Sequence, residues 1–265
     1  MEDHIRRIRD NIQQILDFVP ADREIEECPV KYKGKRDTYI RDVYNWWLVH
    51  KGTDSVGVEA GRKLSSFVLR GIRPGKGWEN SWCMEITADY LISVKNYILG
   101  IGVYLASFMA LPSTNFRYLN EARLLTKIST TYRKYRSLYR DVPAMKSMIT
   151  DLLNKIIQEG KPDGTYRITL ISEKLLLEYD PTLYDELLLT VAKVDRLDVW
   201  CLCAALMVAD MYRDNNSGLL TCLAERSDVF LKEAKEFVAE TGMGPSEEAE
   251  ALLKEVLGLG MFEKI

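Results

Sequence analysis

The side chains in this sequence that could do chemistry are two histidines, five cysteines and several clusters of arginine and lysine. His4 and His50 are the histidines, and neither stands in a metal-ligand pattern with Cys28, Cys83, Cys201, Cys203 or Cys222, so no zinc site is expected. Five is an odd number, and only Cys201 and Cys203 are close in sequence; reduced thiols, not a disulfide framework, are the simpler reading. Residues two apart on a helix do not share a face, and free cysteine is usually buried, so Cys201 and Cys203 are expected as core thiols. The segment Gly71–Gly77, GIRPGKG, has a lysine but lacks the spacing and the following hydroxyl of a phosphate-binding loop. No G-x-S-x-G nucleophile turn occurs. A carboxylate pair assembled only in three dimensions would leave no mark in sequence. The expectation is a non-enzymatic chain with no catalytic residues, no metal and no cofactor.

The basic clusters carry more information. A helix predicted over 119–140 has Leu125, Ile128, Tyr132, Tyr135 and Tyr139 on its apolar face, flanked by Arg123, Lys127 and Lys134 on one side and Arg133, Arg136 and Arg140 on the other. Between Arg117 and Lys146 there are 8 basic residues against 2 acidic ones, a balance of +6. A basic stripe on the outer face of a packed helix is the footprint of a phosphate-backbone or acidic-lipid binder, and these six residues are the candidate RNA or lipid ligands. The competing reading is a solvated face that pairs with acids elsewhere. A second cluster, Arg62, Lys63, Arg70, Arg73 and Lys76, borders the glycine-rich turn beside Trp78. Arginine next to exposed tryptophan would suit an RNA base or a lipid interface, but the simpler expectation is that Trp78 and Trp82 fill the core.

The elements that must position these groups are helices. Ile5, Ile8, Ile12, Ile15 and Leu16 mark a helix over 3–18 that Pro20 ends. Asp37 is placed as the cap of a helix running to about His50, with Ile40, Val43, Tyr44 and Trp47 on one face. Further helices are expected over 58–69, as two segments across 84–111, and over 119–140 and 145–159. A short extended stretch near 166–171 comes next, then helices near 172–178, 181–194, 196–212, 218–240 and 246–258. Ser172 and Asp180 are the expected N-caps there, and Pro181 suits a first helical position. The apolar run Tyr97–Leu111 is 15 residues long. A spanning helix needs about 20, so this run reads as a buried core helix. Met1–Asp10 carries charge with no apolar segment after it, so no cleaved signal is expected. The fold class is therefore all-α, with two helical domains: 1–160, basic, and 165–265, acidic and smaller. Gly160–Gly164, GKPDG, is the strongest break in the chain. It coincides with a change of charge: 25 Lys and Arg against 19 Asp and Glu before residue 161, and 11 against 20 after it.

One succession of segments resembles a known family. Tyr44-Asn-Trp-Trp-Leu48 leads into Lys63-Leu-Ser-Ser-Phe-Val-Leu-Arg-Gly-Ile-Arg-Pro-Gly75, then Thr131-Tyr-Arg-Lys-Tyr-Arg136, then Cys203-Ala-Ala-Leu-Met-Val-Ala-Asp-Met-Tyr-Arg213 and Gly218-Leu-Leu-Thr-Cys-Leu223. Over roughly 40–235 this order resembles the matrix proteins of orthomyxoviruses, in length and order more the tick-borne thogotovirus branch than influenza. The resemblance implies an all-helical structural protein of the virion. Such proteins self-associate beneath the envelope, touch the viral ribonucleoprotein or its RNA, lie on the inner, acidic membrane surface without spanning it, and assist budding. It implies a location in the virion, the host cytoplasm and the nucleus. Arg133, Lys134 and Arg136 match the family's basic helix. The Cys/His cluster discussed as a zinc motif in influenza members has no counterpart here, so no metal is carried over. The alternatives are a nucleoprotein-like single-stranded RNA-binding protein and a cellular α-helical enzyme whose site leaves no motif.

Overall fold

The computed structural model describes residues 28–51, 55–112, 117–138, 142–159, 164–195, 199–214 and 216–226, with Ile25, Leu197 and Lys232 singly. The helices expected over 3–18 and 246–258 lie outside the described residues. Every regular element among the described residues is a helix, so the all-α expectation holds. The chain divides into two compact units, Met1–Arg140 and Asp141–Ile265. That division falls before the break expected at Gly160–Gly164, of which residues 160–163 lie outside the description.

In the first unit, α1 (Arg36–His50) turns Tyr39, Ile40, Val43 and Trp47 inward, the spacing of one helical face. Asp37 sits in its first turn, two positions past the cap, and Lys35 holds the cap position without a side-chain bond. α2 (Ser55–Leu69) crosses α1 where Gly61 lies under the Trp47 indole; Trp47 Nε1 donates to the Gly57 carbonyl at 2.9 Å. The turn Gly71–Lys76 follows, with Gly75 at φ +75°, a conformation that glycine adopts at no steric cost. α3 (Gly77–Ser93) is the centre of the unit. It packs on α2 and on α4 (Tyr97–Ala110), and it is buried almost continuously from Asn80 to Leu91. α4 in turn packs on α5 (Arg117–Tyr135), which ends in a 3-10 turn, Arg136–Leu138. The expected single helix over 119–140 is thus shorter at its C-terminal end, and Tyr139 and Arg140 lie outside the described residues.

In the second unit, α6 (Val142–Glu159), α8 (Pro181–Lys193) and α9 (Val199–Met211) all pack on α7 (Gly164–Leu177), and α10 (Gly218–Glu225) closes against α8 and α9. The extended stretch expected near 166–171 is helical. Ile168, Leu170, Ile171, Leu175 and Leu176 are all buried, and that core overrides the weak helix preference of its isoleucines and threonines. Ser172 is consequently a mid-helix residue, not a cap. Asp180 does cap α8, accepting hydrogen bonds from the backbone of Thr182 at 3.0 Å and Leu183 at 3.2 Å, with Pro181 in the first turn. Cys201 and Cys203 are both buried, because α9 is packed on all sides from Cys201 to Leu206.

Candidate functional site

The structure separates the five described residues of the predicted stripe. Arg123 and Lys127, one turn apart on α5, face α3. The Arg123 guanidinium lies 2.7 Å from Glu85 Oε2, and Lys127 Nζ lies 2.8 Å from both Glu85 Oε1 and Asp89 Oδ2. Glu85 and Asp89 are also one turn apart, so two carboxylates on one helix meet two cations on another, 38 residues away or more in sequence. Arg133 is half-buried, Lys134 and Arg136 are exposed, and Arg140 lies outside the described residues. Lys134 and Arg136 thus present exposed positive charge at the C-terminal end of α5.

The paired groups form a buried network that sequence reasoning missed. Asp89 accepts from Tyr44 Oη, Tyr104 Oη and Lys127 Nζ, so residues from α1, α3, α4 and α5 converge on one carboxylate. Glu85 is 1 % exposed, and its oxygens meet Arg123 and Lys127 as ion pairs without hydrogen-bond alignment. Burial pushes the Asp89 carboxyl up, but the Lys127 ammonium and three hydrogen bonds outweigh that and hold it below its usual range. Burial acts to lower Lys127, yet the facing Asp89 and Glu85 hold it well above its ordinary value. Burial, then the Asp89 charge, push the Tyr44 and Tyr104 hydroxyls far up. The shifts favour charged Asp89 and Lys127 and the neutral hydroxyls of Tyr44 and Tyr104. By its contacts the network is a structural clamp that ties α1, α4 and α5 to Asp89 of α3. The legible signal was two complementary pairs at four-residue spacing, Glu85 and Asp89 against Arg123 and Lys127. The acids, however, stand in a run that is otherwise apolar enough to read as core.

The outer side of Arg123 opens onto a groove of about 300 Å³ lined by Asp37, Trp78, Glu79, Ser81, Trp82, Leu111, Asn120 and Arg123. Trp78 is 36 % exposed and Trp82 is half-buried, so these indoles line a surface recess, contrary to the expectation that they fill the core. Polar neighbours at the start of α3 hold them there: Asn80 donates to the Arg73 carbonyl at 2.7 Å, accepts from its backbone nitrogen at 3.0 Å, and so fixes the turn that presents Trp78. The secondary basic cluster is dispersed. Arg62 donates to Glu59 at 2.8 Å and Lys63 lies 3.8 Å from the same carboxylate, both half-buried on α2. Arg70 is half-buried, Arg73 is exposed on the turn, and Lys76 lies 3.4 Å from Glu79.

A third feature joins α4 to the basic end of α5. α4 contains no charged residue, and its exposed positions are Ile98, Gly102 and Met109, with Ile98 61 % and Met109 56 % exposed. With half-buried Leu105 they form a stripe at helical spacing, so this helix is core on one side and apolar toward solvent on the other. Tyr97, at its start, stacks on Tyr135 with ring centroids 3.4 Å apart. That contact joins the start of α4, where Lys95 and Ile98 are exposed, to the C-terminal end of α5, where Lys134 and Arg136 are exposed. Among the described residues no helix is long and apolar enough to cross a membrane, and no group of His, Cys, Asp and Glu could hold a metal ion. Compared with known proteins, the chain matches no family model, no curated protein and no solved structure.

Proposed function

We propose that this chain is a matrix-type assembly protein that lies on an acidic membrane surface through its first unit, self-associates there, and offers basic side chains to RNA or a ribonucleoprotein. The observation that carries the reading is the surface where the exposed apolar stripe of α4 adjoins the basic end of α5 across the Tyr97–Tyr135 stack. Exposed apolar residues beside lysine and arginine are what a peripheral membrane contact requires: the apolar groups enter the interface, and the cations meet anionic headgroups. The tyrosines at the junction are residues favoured at the headgroup level. The likeness of the segment order to orthomyxovirus matrix proteins, with Arg133, Lys134 and Arg136 at the matching basic helix, points the same way. So does the change of charge sign between the two parts of the chain.

Flotation of the full chain with phosphatidylserine-containing vesicles, against phosphatidylcholine vesicles alone, tests this. Each cation near an anionic surface contributes about 1 kcal/mol, so Arg133→Gln with Lys134→Gln should weaken binding by about 2 kcal/mol, roughly thirtyfold. Ile98→Ser, which removes apolar burial without adding a charge, should weaken it to a similar extent at low and at physiological salt. Binding that is the same at low and physiological salt, or equal on neutral vesicles, would refute the membrane reading. Single-stranded RNA that competes fully with vesicles would place both ligands on the same cations. RNA binding with no vesicle binding would favour a nucleoprotein-like protein.

A further inference from the structure

The groove beside Arg123 has a chemistry that neither lipid nor RNA phosphate explains. Trp78 and Trp82 are four residues apart on α3, so both indoles rise from one face. Asp37 from the first turn of α1 and Glu79 from α3 add two carboxylates, while Asn120 and Arg123 close the wall from α5. Among the described residues Arg123 is the only cation of the lining, and its charge is already met by buried Glu85 at 2.7 Å. Lys76 lies 3.4 Å from Glu79, but both side chains are more than half exposed, so that pair is weak and readily exchanged. The recess is therefore aromatic and anionic, inside a stretch of chain that is basic. Indole faces attract cations through their quadrupole, and carboxylates add a full charge. A phosphate entering here would meet Asp37 and Glu79 instead. Among cations a guanidinium fits best, since it stacks flat on an indole and donates two parallel hydrogen bonds to one carboxylate.

The other end of α5 supplies such a group. Asn120 and Arg123 lie in the first two turns of the helix, and exposed Arg136 follows its last residue in the 3-10 turn. At 1.5 Å per residue the two ends stand about 20 Å apart along one axis. We propose that the Trp78–Trp82 groove binds Arg136 of a second copy of this chain, a head-to-tail contact that repeats and so builds rows. The inference deepens the self-association part of the proposed function and stands apart from the membrane part: Arg136 goes to the neighbouring copy, and Arg133 and Lys134 remain for lipid.

The test is sedimentation of the full-length chain at low salt, across a range of concentration. Wild type should form oligomers that grow with concentration. Trp78→Ala and Arg136→Gln should each weaken association at least about tenfold, the effect of losing one desolvated cation–aromatic contact with its ion pair. The decisive arm mixes the two variants. One keeps a working groove and the other a working arginine, so an equimolar mixture should give one-to-one dimers and nothing longer. Because Trp78 is exposed, its variant should fold, and its flotation with acidic vesicles should match wild type; loss of flotation by wild type itself would count against the membrane reading alone. N-acetyl-arginine amide should quench tryptophan fluorescence in wild type and not in Trp78→Ala. The proposal is overturned if wild type stays monomeric, if either variant alone assembles as wild type does, or if mixing the variants restores nothing. It is also overturned if guanosine monophosphate quenches Trp78 where the arginine amide does not, which would make the groove a nucleobase site.

Discussion

Replacing Lys127 with methionine keeps the bulk of the side chain and removes the charge that holds the Glu85–Asp89 pair together. In the native protein Lys127 Nζ is 2.8 Å from Glu85 Oε1 and 3.0 and 2.8 Å from the two Asp89 oxygens, while Glu85 is 1 % and Asp89 7 % exposed. Without the ammonium, Asp89 keeps the hydroxyls of Tyr44 and Tyr104, and Glu85 keeps Arg123. Two like charges one turn apart then lack a shared cation in the centre of the unit. At an effective dielectric of about 20, a pair of unit charges 4 Å apart is worth about 4 kcal/mol, and breaking a buried pair by removing one partner costs about 3–5 kcal/mol. A domain has only about 5–15 kcal/mol to lose, so the variant should sit near its folding threshold. Urea unfolding at pH 7, followed by tryptophan fluorescence, is the measurement; Trp46, Trp47, Trp78 and Trp82 all lie in the first unit, so the signal reports chiefly on it. The pH dependence gives a second handle. In the native protein Asp89 is held below its ordinary value, so its contribution is present above the unfolded carboxylate range and is lost only as pH falls through the depressed folded value. In the variant the same carboxyl has lost its cation but not its burial. Its folded value should lie above the unfolded one, and acid should then protonate it within the fold. The gap between variant and native stability should therefore narrow as pH falls through the carboxylate range. A cost under about 1 kcal/mol at pH 7, with no narrowing in acid, would refute the buried-clamp account. Adding Asp89→Leu to Lys127→Met should recover part of the loss, since an apolar pair of similar volume replaces the stranded charge.

Two smaller perturbations test the packing that carries these features. Gly61→Ala should destabilise the first unit by about 1–3 kcal/mol by overpacking, because a Cβ there would stand 2.5 Å from the Trp47 ring nitrogen and 2.7 Å from Tyr90; thermal melting with no loss would mean that the ring shifts freely. Asp180→Ala should cost the second unit about 1 kcal/mol through the lost cap of α8, and Asp180→Asn or Asp180→Ser should restore most of it, readable by urea titration.

The readable parts of the fold were those governed by spacing along one helix. The inward face of α1, the Asp180–Pro181 start of α8 and the burial of Cys201 and Cys203 all follow from local rules. The extended reading of 166–171 failed because the α7 core that decides the conformation involves α6, α8 and α9, which local sequence does not show. The basic stripe was counted correctly and placed only in part, because charge balance along a chain says nothing about which charges meet across space. Glu85 and Asp89 cancel Arg123 and Lys127 from another helix. Trp78 and Trp82 likewise carry no sign of exposure in their own residue types; that is fixed by the turn that Asn80 pins.

That cancellation changes what the charge of α5 can do. Were all its cations solvated, the helix would be a uniform basic rod that any polyanion could meet along its length. With Arg123 and Lys127 paired to buried carboxylates, their charge is largely offset from inside the unit, although the Arg123 side chain is itself 48 % exposed. At the C-terminal end, Lys134 and Arg136 are exposed, beyond the last buried residue of the helix, Tyr132. At the opposite end, Asp37 and Glu79 add charge of the other sign beside two indoles. A helix about 28 Å long with opposite character at its ends has a direction. At physiological salt a charge is screened within about 8 Å, so the two ends act separately and not as one average surface. Net charge, which is −3 for the whole chain, is therefore the wrong quantity from which to infer its partners. The quantity that matters is the local sign at each end of α5, and the Lys127 clamp is what keeps the two ends distinct.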